Sequence, residues 1–154
     1  MDKKAINSGS NRSDSASAVL PTSLHQGTPL SIQMDRGNVF AEKCPSREIL
    51  KHMTSRWAVL VFVALSKGTH RFSDLRRCIG GVSEKMLSQT LQALEADGFV
   101  DRIAYPVVPP HVEYSLTPLG SQAAEHVVAM ADWIELHLGE ILEAQTLFEQ
   151  NNAR

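Results

Sequence analysis

The sequence predicts a mainly α fold with one small β-hairpin and a long C-terminal helix. Three observations carry that prediction. Apolar residues recur at steps of three and four through most of residues 45–141. One stretch, His111-Val112-Glu113-Tyr114-Ser115-Leu116, alternates strictly instead. Glycine and proline punctuate the segments at Gly68, Gly80-Gly81, Gly98 and Pro118.

Residues 1–40 are rich in Ser, Asn, Gly and Thr and lack periodicity. Such a stretch buries too little apolar surface to offset its ordering entropy, so it is expected to be a flexible tail, with a short helix inside it around 31–39. Pro45 suits the first turn of a helix, where its missing N–H costs nothing. Ile49, Leu50 and Met53 give that helix its apolar face. The apolar run Trp57 to Leu65 reads as a helix buried nearly all round, with a strand as the competing reading of its valines. Phe72, Leu75 and Ile79 then point inward from a short helix that turns Arg71, Arg76 and Arg77 outward.

Ser83 is an expected N-cap, with Glu84 at the positive end of the helix dipole. The helix it opens, 83–97, has Leu87, Leu91 and Leu94 on its inner face. Lys85, Ser88, Gln89 and Gln92 form a hydrogen-bonding stripe on another. The hairpin follows, with arms Phe99–Tyr105 and His111–Leu116 joined by the stiff loop Pro106-Val107-Val108-Pro109-Pro110. Thr117-Pro118 opens the last helix. Leu119, Ala123, Val127, Met130, Ile134 and Leu138 run along one side of it in a stripe longer than a small core requires, which suggests a dimer interface. One domain over 41–145, with a tail over 146–154, is the expected organisation.

Composition narrows the function. No stretch approaches the roughly 20 apolar residues of a membrane span, and no apolar segment follows Lys3 and Lys4 to make a secretory signal. Two cysteines, Cys44 and Cys78, make no disulfide framework or zinc motif, which fits a reducing cytoplasm. The six histidines show no metal-ligand spacing, and neither a metal nor a cofactor is expected. The net charge of −2 conceals an asymmetry: residues 44–117 carry nine Lys/Arg against seven Asp/Glu, whereas residues 118–154 carry one against six. The middle of the chain can therefore face phosphates while the C-terminal end repels them. No catalytic triad spacing, Gly-rich phosphate loop or carboxylate pair suggests an enzyme.

Three helices, a hairpin and a helix, with Gly80-Gly81 at the turn, describe a winged helix-turn-helix whose polar-faced helix enters the major groove of double-stranded DNA. Specific segments add a resemblance. They are Cys44-Pro45, Trp57, Arg71-Phe72-Ser73-Asp74-Leu75-Arg76-Arg77, Val82 through Leu91, Leu94 through Val100, and Tyr105-Pro106 with Val108 through Thr117. In this order and spacing the chain, from Cys44 to about Trp133, resembles the HxlR-type transcription regulators, relatives of the MarR-type group.

The resemblance implies a homodimeric DNA-binding regulator, a repressor in the first instance, that reads a pseudo-palindromic operator. Ser83, Lys85, Ser88, Gln89 and Gln92 would lie in the groove, with Arg71, Arg76, Arg77, Arg102 and His111 on phosphates. It also makes Cys44 the candidate redox-sensing residue, since several members sense thiol-reactive compounds at this N-terminal position. A small molecule or an oxidant would be the effector. The chain departs from the family pattern at Thr54-Ser55-Arg56 before the tryptophan and at Val107 in the wing. It also has His111 where arginine is common, which removes a permanent charge. That last change and the net acidity keep open a second reading, a winged helix used for protein interaction alone.

Overall fold

Residues 39–153 are described by a computed structural model, with the element order helix, helix, strand, helix, helix, strand, strand, helix, helix. Apart from Val39 and Phe40, the expected N-terminal tail and its short helix lie outside the described residues.

Helix α1, Pro45–Thr54, begins at proline as expected and packs Ile49 and Met53 against the core. Ser55 both ends α1 and caps α2, Arg56–Leu65, its hydroxyl oxygen accepting the Ala58 N–H. Helix α2 is the centre of the fold. Its Ala58, Val61, Phe62, Ala64 and Leu65 are buried, so the helical reading of the Val-rich run holds. A short strand β1, His70–Arg71, leads directly into α3, Phe72–Cys78. After Gly80 and Gly81, the latter at φ +82°, comes α4, Glu84–Ala96.

Helix α4 stops in a motif that glycine makes available. Gly98 adopts φ +78°, and its N–H reaches the Glu95 carbonyl while the Phe99 N–H reaches that of Leu94, at 3.0 and 2.9 Å. These crossed bonds satisfy carbonyls the helix end would orphan. Strands β2, Val100–Tyr105, and β3, His111–Leu116, form the hairpin, with Arg102 opposite Tyr114 and Tyr105 opposite His111. The sheet has three strands rather than the two expected, in the antiparallel order β1-β3-β2, because His70 and Arg71 pair with Tyr114 and Glu113. Two residues are too few for an alternating pattern to show in the sequence.

Helix α5, Pro118–Leu136, starts at Thr117, whose hydroxyl links both sides of the wing base. It donates to the Gly98 carbonyl at 2.6 Å and accepts the Gly120 N–H at 2.9 Å. The C-terminal helix expected as one piece is two. It breaks at His137 (φ −107°, ψ 10°), whose ring stacks on Trp133 and bonds the Trp133 carbonyl. Helix α6, Leu138–Asn152, then runs through most of the stretch expected as a tail from residue 146. Nothing in α6 is fully buried, and Leu142, Leu147 and Phe148 are exposed. Among the described residues no helix is long and apolar enough to cross a membrane.

Candidate nucleic-acid interface

On α4 the inner face holds Leu87, Leu91 and Leu94, each no more than 1% exposed. At about 100° per residue, Lys85, Gln89 and Gln92 lie diametrically opposite, and all three are exposed. Ser88 sits on the flank and is half-buried. Ser83 is a cap, its oxygen accepting the Met86 N–H at 3.1 Å, so its hydroxyl oxygen is already engaged. Sequence periodicity passed over Met86, which is 41% exposed on the first turn beside the stripe. An apolar side chain there can contact a thymine methyl, the one apolar mark in the major groove.

The cations divide into two groups. Arg76 donates to Glu84 and Arg77 to Asp74 in exposed ion pairs, the second at 3.2 Å. Such pairs contribute about 0–1 kcal/mol, so a phosphate can displace the carboxylate at small cost. Arg71, Lys85 and Arg102 enter no ion pair among the described residues. His111 is half-buried, stacked on Tyr105 at 4.8 Å and paired with Glu113 at 3.3 Å, which ties it to the wing's own surface.

Arg71, Arg76, Arg77 and His111 share a surface. One groove runs between the start of α3 and the wing and is lined by Arg71, Tyr105 and His111. A second, between α3 and the start of α4, is lined by Arg76, Arg77 and Glu84. Phe72 and Ser73 line both, so the wing, α3 and the first turn of α4 are contiguous. Behind them, His52 Nδ1 lies 2.6 Å from Asp97 Oδ2 and fastens α1 to the end of α4, a pairing 45 residues apart that spacing could not reveal.

One expectation for the last helix needs correction. Ala123 and Val127 are buried in the chain's own core and have little surface left for a partner. The exposed part of the stripe is Leu119, Met130, Ile134 and Leu138, extended by Trp133 and Leu142. Cys78, at the end of α3, is exposed. Cys44 is half-buried ahead of α1. The Ser46 hydroxyl and N–H, with the Arg47 N–H and charge, hold its thiol below the ordinary cysteine range against the opposing effect of desolvation.

A polar-faced helix behind a glycine turn, flanked by a basic α3 and a three-stranded wing, defines a winged helix-turn-helix DNA-binding protein. The chain belongs to the HxlR-like helix-turn-helix family, whose model matches residues 52–141, and it is a transcriptional regulator. It is 75% identical over 113 residues to the HTH-type transcriptional regulator YtfH of Escherichia coli (strain K12), covering 73% of this chain and 90% of that protein. The solved structure of the transcriptional regulator YtfH from Salmonella typhimurium matches with TM-score 0.70 and 70% identity, over 71% of this chain and 98% of that one. That of the redox regulator HypR in its oxidized form matches with TM-score 0.55 and 38% identity, over 60% and 95%.

Proposed function

We propose that the chain acts as a homodimeric repressor whose two α4 helices enter successive major grooves of a pseudo-palindromic operator, with half-sites roughly 34–36 Å apart. The observation that supports this most is the outward stripe Lys85, Gln89 and Gln92, positioned by three buried leucines and without a hydrogen bond or ion pair among the described residues. Glutamine pairs bidentately with adenine and lysine with guanine O6/N7. Arg71, Arg76, Arg77 and Arg102 supply phosphate contacts, and His111 at the wing gives less charge than arginine would.

The test starts from an operator recovered by selection from random duplexes. Gln89→Ala is expected to weaken operator binding by roughly 1–3 kcal/mol while leaving random DNA nearly unaffected. Arg102→Ala should weaken both and lower the slope of log K against log salt by about one unit. Failure of selection to enrich any sequence rejects the operator reading. Equal losses on both DNAs for Gln89→Ala remove it from base readout.

A thiol response at Cys44 is a second part of the proposal, supported by the lowered thiol pKa and by the likeness to a redox regulator. The thiolate is the nucleophile, so a lowered pKa brings reactivity to lower pH. In a Cys78→Ser background, the alkylation rate of Cys44 by iodoacetamide should reach half its maximum at a lower pH than that of a cysteine peptide. Oxidised glutathione should then alter operator affinity in the wild type but not in Cys44→Ser. An equal response in both proteins discards the sensor.

A further inference from the structure

One flank of α5 closes a cleft of about 640 Å³ that plays no part in the DNA surface, within the roughly 300–1,000 Å³ of small-molecule sites. The end of α2, the Gly68-Thr69 turn and the end of β3 form the other walls. Its floor is apolar. Leu65 and Ala124 are 3% exposed, and Val128 continues the surface. Above the floor, the hydroxyls of Thr69, Ser115 and Ser121 make no hydrogen bond among the described residues. Glu125 and Asp132 line the same cleft and enter no ion pair there, and neither lysine nor arginine lines it.

The lining sets the ligand's chemistry. An apolar floor takes an aromatic or alkyl body, the hydroxyls take a hydrogen-bonding head, and two carboxylates without an ion pair among the described residues favour a positive head. Anions are repelled, and a neutral analogue leaves the charge unanswered.

Helix geometry sets the cleft apart from the flank of the proposed dimer. At about 100° per residue, Ser121, Glu125, Val128 and Asp132 fall on one side of the buried row Gly120, Ala124 and Val127. Leu119, Met130 and Ile134 fall on the other side. The exposed apolar surface that suits a second copy is therefore not the surface that lines the cleft. The cleft also touches Ser115 and Leu116, at the base of the wing strand whose far end is His111. A ligand there contacts both the wing and the helix used for self-association.

We propose that this cleft is an effector site for small amphiphilic organic ammonium ions. Its role as an effector site rests on the regulator reading above, whereas its ligand class does not.

The test is calorimetric titration of the full chain, without DNA, with 2-phenylethylammonium. Its neutral and anionic counterparts, 2-phenylethanol and phenylacetate, are titrated in parallel. The ammonium should bind roughly fivefold or more tightly than the alcohol, a preference sized for two exposed carboxylates, and phenylacetate should bind least. Glu125→Gln combined with Asp132→Asn, both exposed and tolerant of change, should erase the preference. Equal affinity for the three compounds, no binding of any at millimolar concentration, or a preference that survives the double variant overturns the site. In a second arm the ammonium should change operator affinity at least fivefold in the wild type and not in the double variant. Binding without that change refutes the effector role. Loss of operator binding in every condition rejects the regulator reading instead, and the calorimetry then decides the site independently.

Discussion

Gly120→Ala is expected to destabilise the domain by about 3–5 kcal/mol. A Cβ at this position would stand 1.8 Å from the Phe99 carbonyl oxygen and 2.8 Å from its carbon. Those atoms are backbone and cannot rotate away. The same oxygen accepts the Thr117 N–H at 3.0 Å, and Thr117 in turn links Gly98 to Gly120. Relief of the clash must therefore lift α5 from the wing base and break these bonds together. Overpacking costs about 1–3 kcal/mol and each lost hydrogen bond about 1 kcal/mol. Against a typical total of about 5–15 kcal/mol this is a large fraction. Chemical denaturation and thermal unfolding read it, with Tm falling by on the order of 15 °C. Gly139→Ala is the control. It also lies in a helix, but an added methyl meets nothing within 4 Å, so a gain of roughly 0.5–1 kcal/mol is expected. Equal stabilities for the two variants would show that the wing base yields freely to α5.

The contrast between these glycines marks the limit of sequence reading here. Periodicity located α1 through α5, and Pro45, Ser83 and Thr117 marked where α1, α4 and α5 begin. The recognition stripe was legible for the same reason, since three buried leucines fix which way Lys85, Gln89 and Gln92 point. What stayed hidden depends on residues far apart in the chain. The Gly120 approach to Phe99, the His52–Asp97 pairing and strand β1 are contacts between segments, with no spacing to announce them. The break at His137 was hidden differently. The apolar steps continue from Ile134 through Leu138 to Ile141, so a single helix and two helices give the same pattern. The stripe itself mixed two destinations. Ala123 and Val127 are small enough for α5 to pack closely on α2 and belong to the core, while the larger Met130 and Ile134 stay outside.

That separation yields the second large expected effect. In the proposed dimer the exposed flank of α5 and α6 covers its counterpart on a second copy. Leu119, Met130, Trp133, Ile134, Leu138 and Leu142 are each at least 41% exposed, and apolar surface gathered on one flank is what an interaction site presents. Met130→Glu with Ile134→Glu puts two carboxylates on that flank beside Glu135, so association of like surfaces requires burying unpaired charge. Neither residue belongs to the buried core, and the monomer should keep its helical content and most of its stability. Sedimentation is expected to show a dimer for the wild type and a monomer for the variant. Operator affinity should fall by about 10²–10⁴-fold, because the second half-site contact becomes bimolecular once the two α4 helices are no longer linked. Binding to a single half-site should change little, since α4, α3 and the wing are untouched. That pairing of outcomes separates lost assembly from lost recognition. A variant that stays dimeric places the interface elsewhere, and a monomer that binds the full operator as tightly as the wild type removes dimerisation from the reading mechanism.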